Sequence, residues 1–171
     1  MSIERTRPLT KNRGEATEAN DTWLTPPELI ECLGKFDLDV CCPAVMPWST
    51  AKRMIHLPED GLTAKWRGRV WCNPPFSSIA PWAERMHEHG NGILLCPARS
   101  TDTRWGQAVL QSADAVLFQK GRPLFHYEDG QKSSGKWSPH MLCAYGEKNV
   151  VALLKAAKGA VSPGVVFRRA E

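Results

Sequence analysis

Apolar residues fall along this chain in short bursts, separated by proline, glycine and charge, and the bursts alternate between a helical and a strand-like period. Leu29, Ile30 and Leu33 recur at helical spacing behind Thr25-Pro26-Pro27-Glu28, where Thr25 can cap a helix, Pro26 suits its first position and Gly34 can end it. Phe36 to Cys41 alternates and then turns apolar, predicting a first strand that ends near Asp39 or Cys41. Residues 42–50 hold two prolines and read as a loop, residues 53–57 as a second short strand, and 58–61 as a turn. Strands are then predicted at 68–72, 91–96, 113–118 and 140–145, and helices at 77–88, 103–111 and 147–157. Gly121 to Tyr127 continues or pairs with the strand before it, and 128–138 reads as an exposed loop. In the last helix Val150, Val151, Leu154 and Ala157 form the expected apolar side.

Strands alternating with helices at these spacings predict an α/β domain with a mainly parallel central sheet, helices on both faces and late antiparallel pairing. That architecture suits a nucleotide-like cofactor. Residues 1–21 mix charges without a period and read as a flexible arm, 22–158 as the domain, and 159–171 as a short tail. At 171 residues and 42% apolar content the chain supports one core and leaves no room for a second recognition domain. Net charge is +4, which permits a nucleic-acid partner without requiring one. Six scattered cysteines with no Cys-x-x-Cys pair predict buried thiols of a cytoplasmic protein, with neither a metal site nor disulfides. No stretch is apolar and long enough to span a membrane, and no signal-peptide core is visible, so a soluble chain is expected.

Candidate chemistry centres on Asn73-Pro74-Pro75-Phe76, directly behind the apolar run Val70-Trp71-Cys72. An amine conjugated to an aromatic base is a poor nucleophile, because its lone pair is delocalised into the ring. Two acceptors, the Asn73 side-chain oxygen and the Pro74 carbonyl, can each take one amine hydrogen and draw the pair back onto nitrogen. The prolines hold φ near about −65° and bring no competing N–H. Phe76 can stack on the base. The plainer alternative is a strand ending in a proline turn whose asparagine caps the next helix.

A methyl donor needs a pocket beside this tetrapeptide, and earlier segments offer its parts. Asp39 can accept from the ammonium of S-adenosylmethionine, Thr25 can bond its carboxylate, and Asp60, followed by Leu62, can accept from its adenine amine. Each also has an ordinary reading, as strand terminator, helix cap and turn aspartate. For DNA, Arg99, Arg104 and Trp105 follow a strand end, and Lys132, Lys136 and Trp137 lie in the polar loop. Arginine and lysine can hold phosphates, and a tryptophan can fill the gap left by a flipped base. Alternatively Trp105 is core, the lysines are solvated and Arg122 braces the sheet. Little protein remains for reading base edges, so a short target or relaxed specificity is expected, with the chain acting as monomer or homodimer.

The succession Thr-Pro-Pro-Glu, Asp-x-Cys-Cys-Pro, Asp-Gly-Leu and Gly-Arg-Val-Trp-Cys-Asn-Pro-Pro-Phe resembles the phage DNA N6-adenine methyltransferase family, often called phage Dam-like. The resemblance covers about residues 22–146 and takes in Pro97 to Trp105 and Lys120-Gly121-Arg122. It implies a Rossmann-like, class I methyltransferase sheet, S-adenosylmethionine as cofactor, and adenine in double-stranded DNA as substrate, flipped from the duplex in phage or prophage modification. By position Asn73, Pro74, Pro75 and Phe76 match the catalytic segment; Thr25, Pro26, Asp39, Cys41, Asp60 and Leu62 fall in the cofactor segments; Arg122 joins the DNA-facing candidates. Cys41-Cys42-Pro43-Ala44 stands where most such enzymes carry a glycine-rich turn. Two rival readings stay open: methylation of RNA or of glutamine amides by the same tetrapeptide, and a non-catalytic nucleic-acid-binding module with a decayed cofactor pocket.

Overall fold

The computed structural model describes residues 23–121, 125–133 and 138–170. In chain order these form α1 (Pro27–Leu33), β1 (Leu38–Asp39), β2 (Arg53–Met54), β3 (Val70–Cys72), α2 (Ala80–His89), β4 (Gly92–Pro97), α3 (Arg104–Ser112), β5 (Ala115–Gln119), β6 (His140–Tyr145), α4 (Glu147–Ala156) and β7 (Gly164–Arg168). The strands make one sheet in the order β2-β1-β3-β4-β6-β5-β7. Pairing is parallel from β2 through β4 and antiparallel from β4 through β7. The expected predominance of parallel pairing therefore holds for one half of the sheet only.

Both faces are covered, and the sequence explains why. In β3, Val70 and Cys72 face one apolar cluster and Trp71 the other; β4 divides Leu94 and Cys96 from Ile93 and Leu95 in the same way. Strands buried on both sides read as unbroken apolar runs, the pattern seen in these segments. Trp82, Ala83 and Met86 of α2 and Val109 of α3 close the first cluster. Leu29, Ile30 and Leu33 of α1 and Val150, Leu153 and Ala156 of α4 close the second.

Three expectations need correction. Helix α1 begins at Pro27, one residue later than expected, and its start carries no side-chain cap, because the Thr25 hydroxyl is engaged elsewhere. The buried side of α4 is Asn149, Val150, Leu153 and Ala156, while Val151 and Leu154 are exposed. Residues 164–168, expected in a tail, pair with β5 as an edge strand. The predicted continuation over 121–127 falls partly outside the described residues, but His126 bridges Leu24 on one side and Lys132 on the other.

Strand β1 has β2 on one flank and β3 on the other, so the chain leaves it in one direction and returns on the opposite side. Connections that diverge in this way open a crevice beyond the carboxyl ends of the two strands.

Candidate functional site

Asn73 emerges from the carboxyl end of β3, beside the end of β1, because Asp39 pairs with Trp71 in the parallel ladder. Pro74 is buried, Pro75 is exposed, and Phe76 opens a single 3-10 turn, Phe76–Ser78, ahead of α2. A cavity of about 300 Å³ lies in the crevice, with Trp23, Cys41, Asp60, Asn73, Pro75 and Trp82 among its lining residues. Cys41 and Asn73 touch through the backbone, the Asn73 N–H donating to the Cys41 sulfur.

The amide nitrogen of Asn73 donates to the Trp23 carbonyl at 3.0 Å and to the Thr25 hydroxyl at 3.2 Å. Two acceptors on one end identify that end as the nitrogen. The Oδ1 atom has no hydrogen-bond partner among the described residues and remains available as an acceptor. Thr25 is itself buried and also accepts from Trp71 Nε1 at 3.3 Å, while its carbonyl accepts from Trp48 Nε1 at 2.9 Å. Its hydroxyl thus orients the asparagine instead of capping α1, and neither Thr25 nor the buried Pro26 beside it lines the cavity.

Asp39 does not line the cavity, although Val40 and Cys41 directly after it do. Asp39 is 4% exposed; one side-chain oxygen accepts from the Cys41 N–H at 3.2 Å and the other from the Thr50 hydroxyl. Burial raises its pKa to about 6, against the opposing effect of those two donors. Across the cavity the exposed Asp60 takes the Leu62 N–H at 2.9 Å, forming an Asx-type turn, and half-buried Leu62 packs on the first core cluster. A side chain on Gly61 would place its Cβ 1.7 Å from the Val40 carbonyl oxygen, so only glycine lets this loop press against the end of β1.

The nucleic-acid candidates divide. Arg99 is exposed in the turn Ala98–Ser100 at the carboxyl end of β4. Arg104 is exposed at the start of α3, and half-buried Trp105 packs against the core; both line a second groove, of about 770 Å³, between α2 and α3. Lys132 lies 3.5 Å from Glu28. Arg122, Lys136 and Trp137 fall outside the described residues. Sequence reasoning passed over Trp23, Trp48, Thr50 and Trp71, which support Asn73 and Asp39. Trp23 lies within two residues of Thr25, and that proximity was the one available signal for it. It also passed over His140, whose ring meets that of Phe76. Among the described residues, no group of three His, Cys, Asp or Glu is placed to hold a metal, and no helix is long and apolar enough to cross a membrane.

One mixed sheet, helices on both faces and a cavity where strand connections diverge make up an α/β fold of methyltransferase-like layout. The family model described as DNA N-6-adenine-methyltransferase (Dam) matches residues 14–159, and the chain belongs to that family. No curated protein and no solved structure matches it.

Proposed function

We propose that the chain transfers a methyl group from S-adenosylmethionine to the N6 amine of adenine in double-stranded DNA, acting on a base turned out of the duplex. The observation that carries this reading is the tethered amide of Asn73. With its nitrogen held by Trp23 and Thr25, its Oδ1 is a fixed acceptor at the cavity wall. The Pro74 carbonyl, stiffened by the two prolines, is the second acceptor. Together they draw the amine lone pair out of conjugation, and Phe76 offers a stacking surface for the base at a cost of a few kcal/mol for extrusion. Acceptors fixed before the reaction need no reorganisation during it, so a strong base is unnecessary.

The cavity suits S-adenosylmethionine in character. Cys41, Asp60, Leu57 and Trp82 give it mixed polar and apolar walls, and the Asp39 carboxylate holds the backbone N–H of Cys41 in that wall. Its volume of about 300 Å³ lies at the small end of the usual range for small-molecule sites. When bound, the cofactor supplies an electrophilic methyl carried on sulfur. Asp60 and the Gly61 loop would hold one end of it, and the Cys41–Cys42 turn, fixed by Asp39, would shape the other. Arg99 is the best-placed described residue for a DNA phosphate, being exposed on the same carboxyl edge.

Replacing Asn73 by alanine should lower kcat by about 10²–10³-fold while leaving S-adenosylmethionine binding by calorimetry nearly unchanged. Methylation at the wild-type rate by Asn73→Ala would sink this reading. Labelled product from RNA or protein, with none from DNA, would redirect it to another amine.

A further inference from the structure

His140 opens β6 opposite Pro97, and the residue is 1% exposed. Its ring meets two others, 5.4 Å from Phe76 at an interplanar angle of 43° and 5.1 Å from Phe125 at 57°. Its Nδ1 has no hydrogen-bond partner among the described residues. Burial, joined by the charge of Arg99, lowers its pKa to about 4, so the ring is neutral at pH 7. An apolar side chain would fill the same space without stranding a buried nitrogen. The imidazole therefore breaks a packing rule, and residues that do so concentrate where function is served. The backbone fixes its place on the carboxyl edge, since the Ala98 N–H donates to the neighbouring Pro139 carbonyl at 2.8 Å.

We propose that His140 is a positioning residue for the target base, setting the tilt of the Phe76 ring on which that base stacks. This rests on the function proposed above. Tilted ring pairs are a favoured aromatic geometry. The imidazole is buried and packs on Phe125 as well, so its own plane is held and it in turn limits the tilt of Phe76. A shift in that plane moves a stacked base relative to Asn73 Oδ1 and the Pro74 carbonyl, and a misplacement of about 1 Å can cost about 100-fold in rate.

The test compares His140→Leu and His140→Phe with wild type in the full chain. Melting temperature, S-adenosylmethionine affinity, and kcat and KM for DNA are measured for each. The leucine variant should melt at or above wild type and bind S-adenosylmethionine equally, yet lose about 10-fold to 100-fold in kcat. The phenylalanine variant, which restores a flat ring, should recover most of that loss. A leucine variant with wild-type kcat overturns the proposal, as does a loss that merely follows a lowered melting temperature. A folded phenylalanine variant as slow as leucine overturns the ring contact as the cause; if phenylalanine does not fold, the leucine variant decides. Should wild type methylate no DNA, the proposed function falls and takes this inference with it; a wild type that methylates DNA beside an equally fast leucine variant removes His140 alone.

Discussion

An amide offers its oxygen reliably only when its nitrogen is already engaged, and at Asn73 that engagement comes from Trp23 and Thr25. The sequence pointed to Asn73 through the chemistry of its tetrapeptide, but the partners that aim it lie about fifty positions earlier and carry no periodic signal. Thr25 was legible as a polar residue at a helix start; that its hydroxyl turns inward to Trp71 and Asn73 follows from tertiary packing alone. Asp39 was legible as an acid at a strand end, and its burial was not. Its folded pKa of about 6 lies above the ordinary value of 3.8, so the folded state holds the proton more tightly. The resulting stabilisation is complete below about pH 4 and is lost as pH rises through about 6. Asp39→Asn keeps the neutral shape without that loss. In the absence of cofactor, the stability of this variant relative to wild type should rise by about 2–3 kcal/mol between pH 4 and pH 7. Denaturation at the two pH values checks it, and a constant difference would contradict it.

Elements were easier to find than the faces they present. Strands β3, β4 and β6 are buried at every position, and apart from His140 at the start of β6 their near-continuous apolar runs announce burial on both sides; all three lie where the pattern put them. Helix α4 was misread by one position because a polar residue directs it inward. Asn149 donates to the Tyr145 carbonyl at 2.7 Å and to Asn91 Oδ1 at 3.1 Å, and accepts from Arg69 Nε at 2.6 Å. A search for apolar stripes cannot anticipate an asparagine at the centre of a buried face. Arg69 is the other half of this join. Its guanidinium also donates to the Leu33 and Lys35 carbonyls, at 2.9 and 3.1 Å, and lies 4.2 Å from the centre of the Phe36 ring. It thereby satisfies the end of α1 and ties α1, β3 and α4 together. Arg69→Met leaves those acceptors unpaired and should cost about 3 kcal/mol of stability, measured by urea denaturation.

At the scale of the molecule, the cavity stands where the strand order turns, and the segments that follow β1, β2 and β3 line it. The edge strand β7 was invisible beforehand, since five residues with two glycines or prolines close by resemble a tail; pairing with β5 makes it a strand. Deleting residues 160–171 would strip β5 of that partner, and an uncovered edge invites association. A fall in melting temperature of about 5–10 °C is expected, with concentration-dependent aggregation read by light scattering. Deletion with neither effect would show that β7 adds nothing to the fold. The tether on Asn73 bears on how its tetrapeptide is to be understood. Four letters at a strand end specify a turn, but the direction in which the amide oxygen looks is set by a carbonyl and a hydroxyl supplied from elsewhere in the chain. Grafting Asn-Pro-Pro-Phe onto a foreign scaffold would transplant the spelling and leave the aim behind.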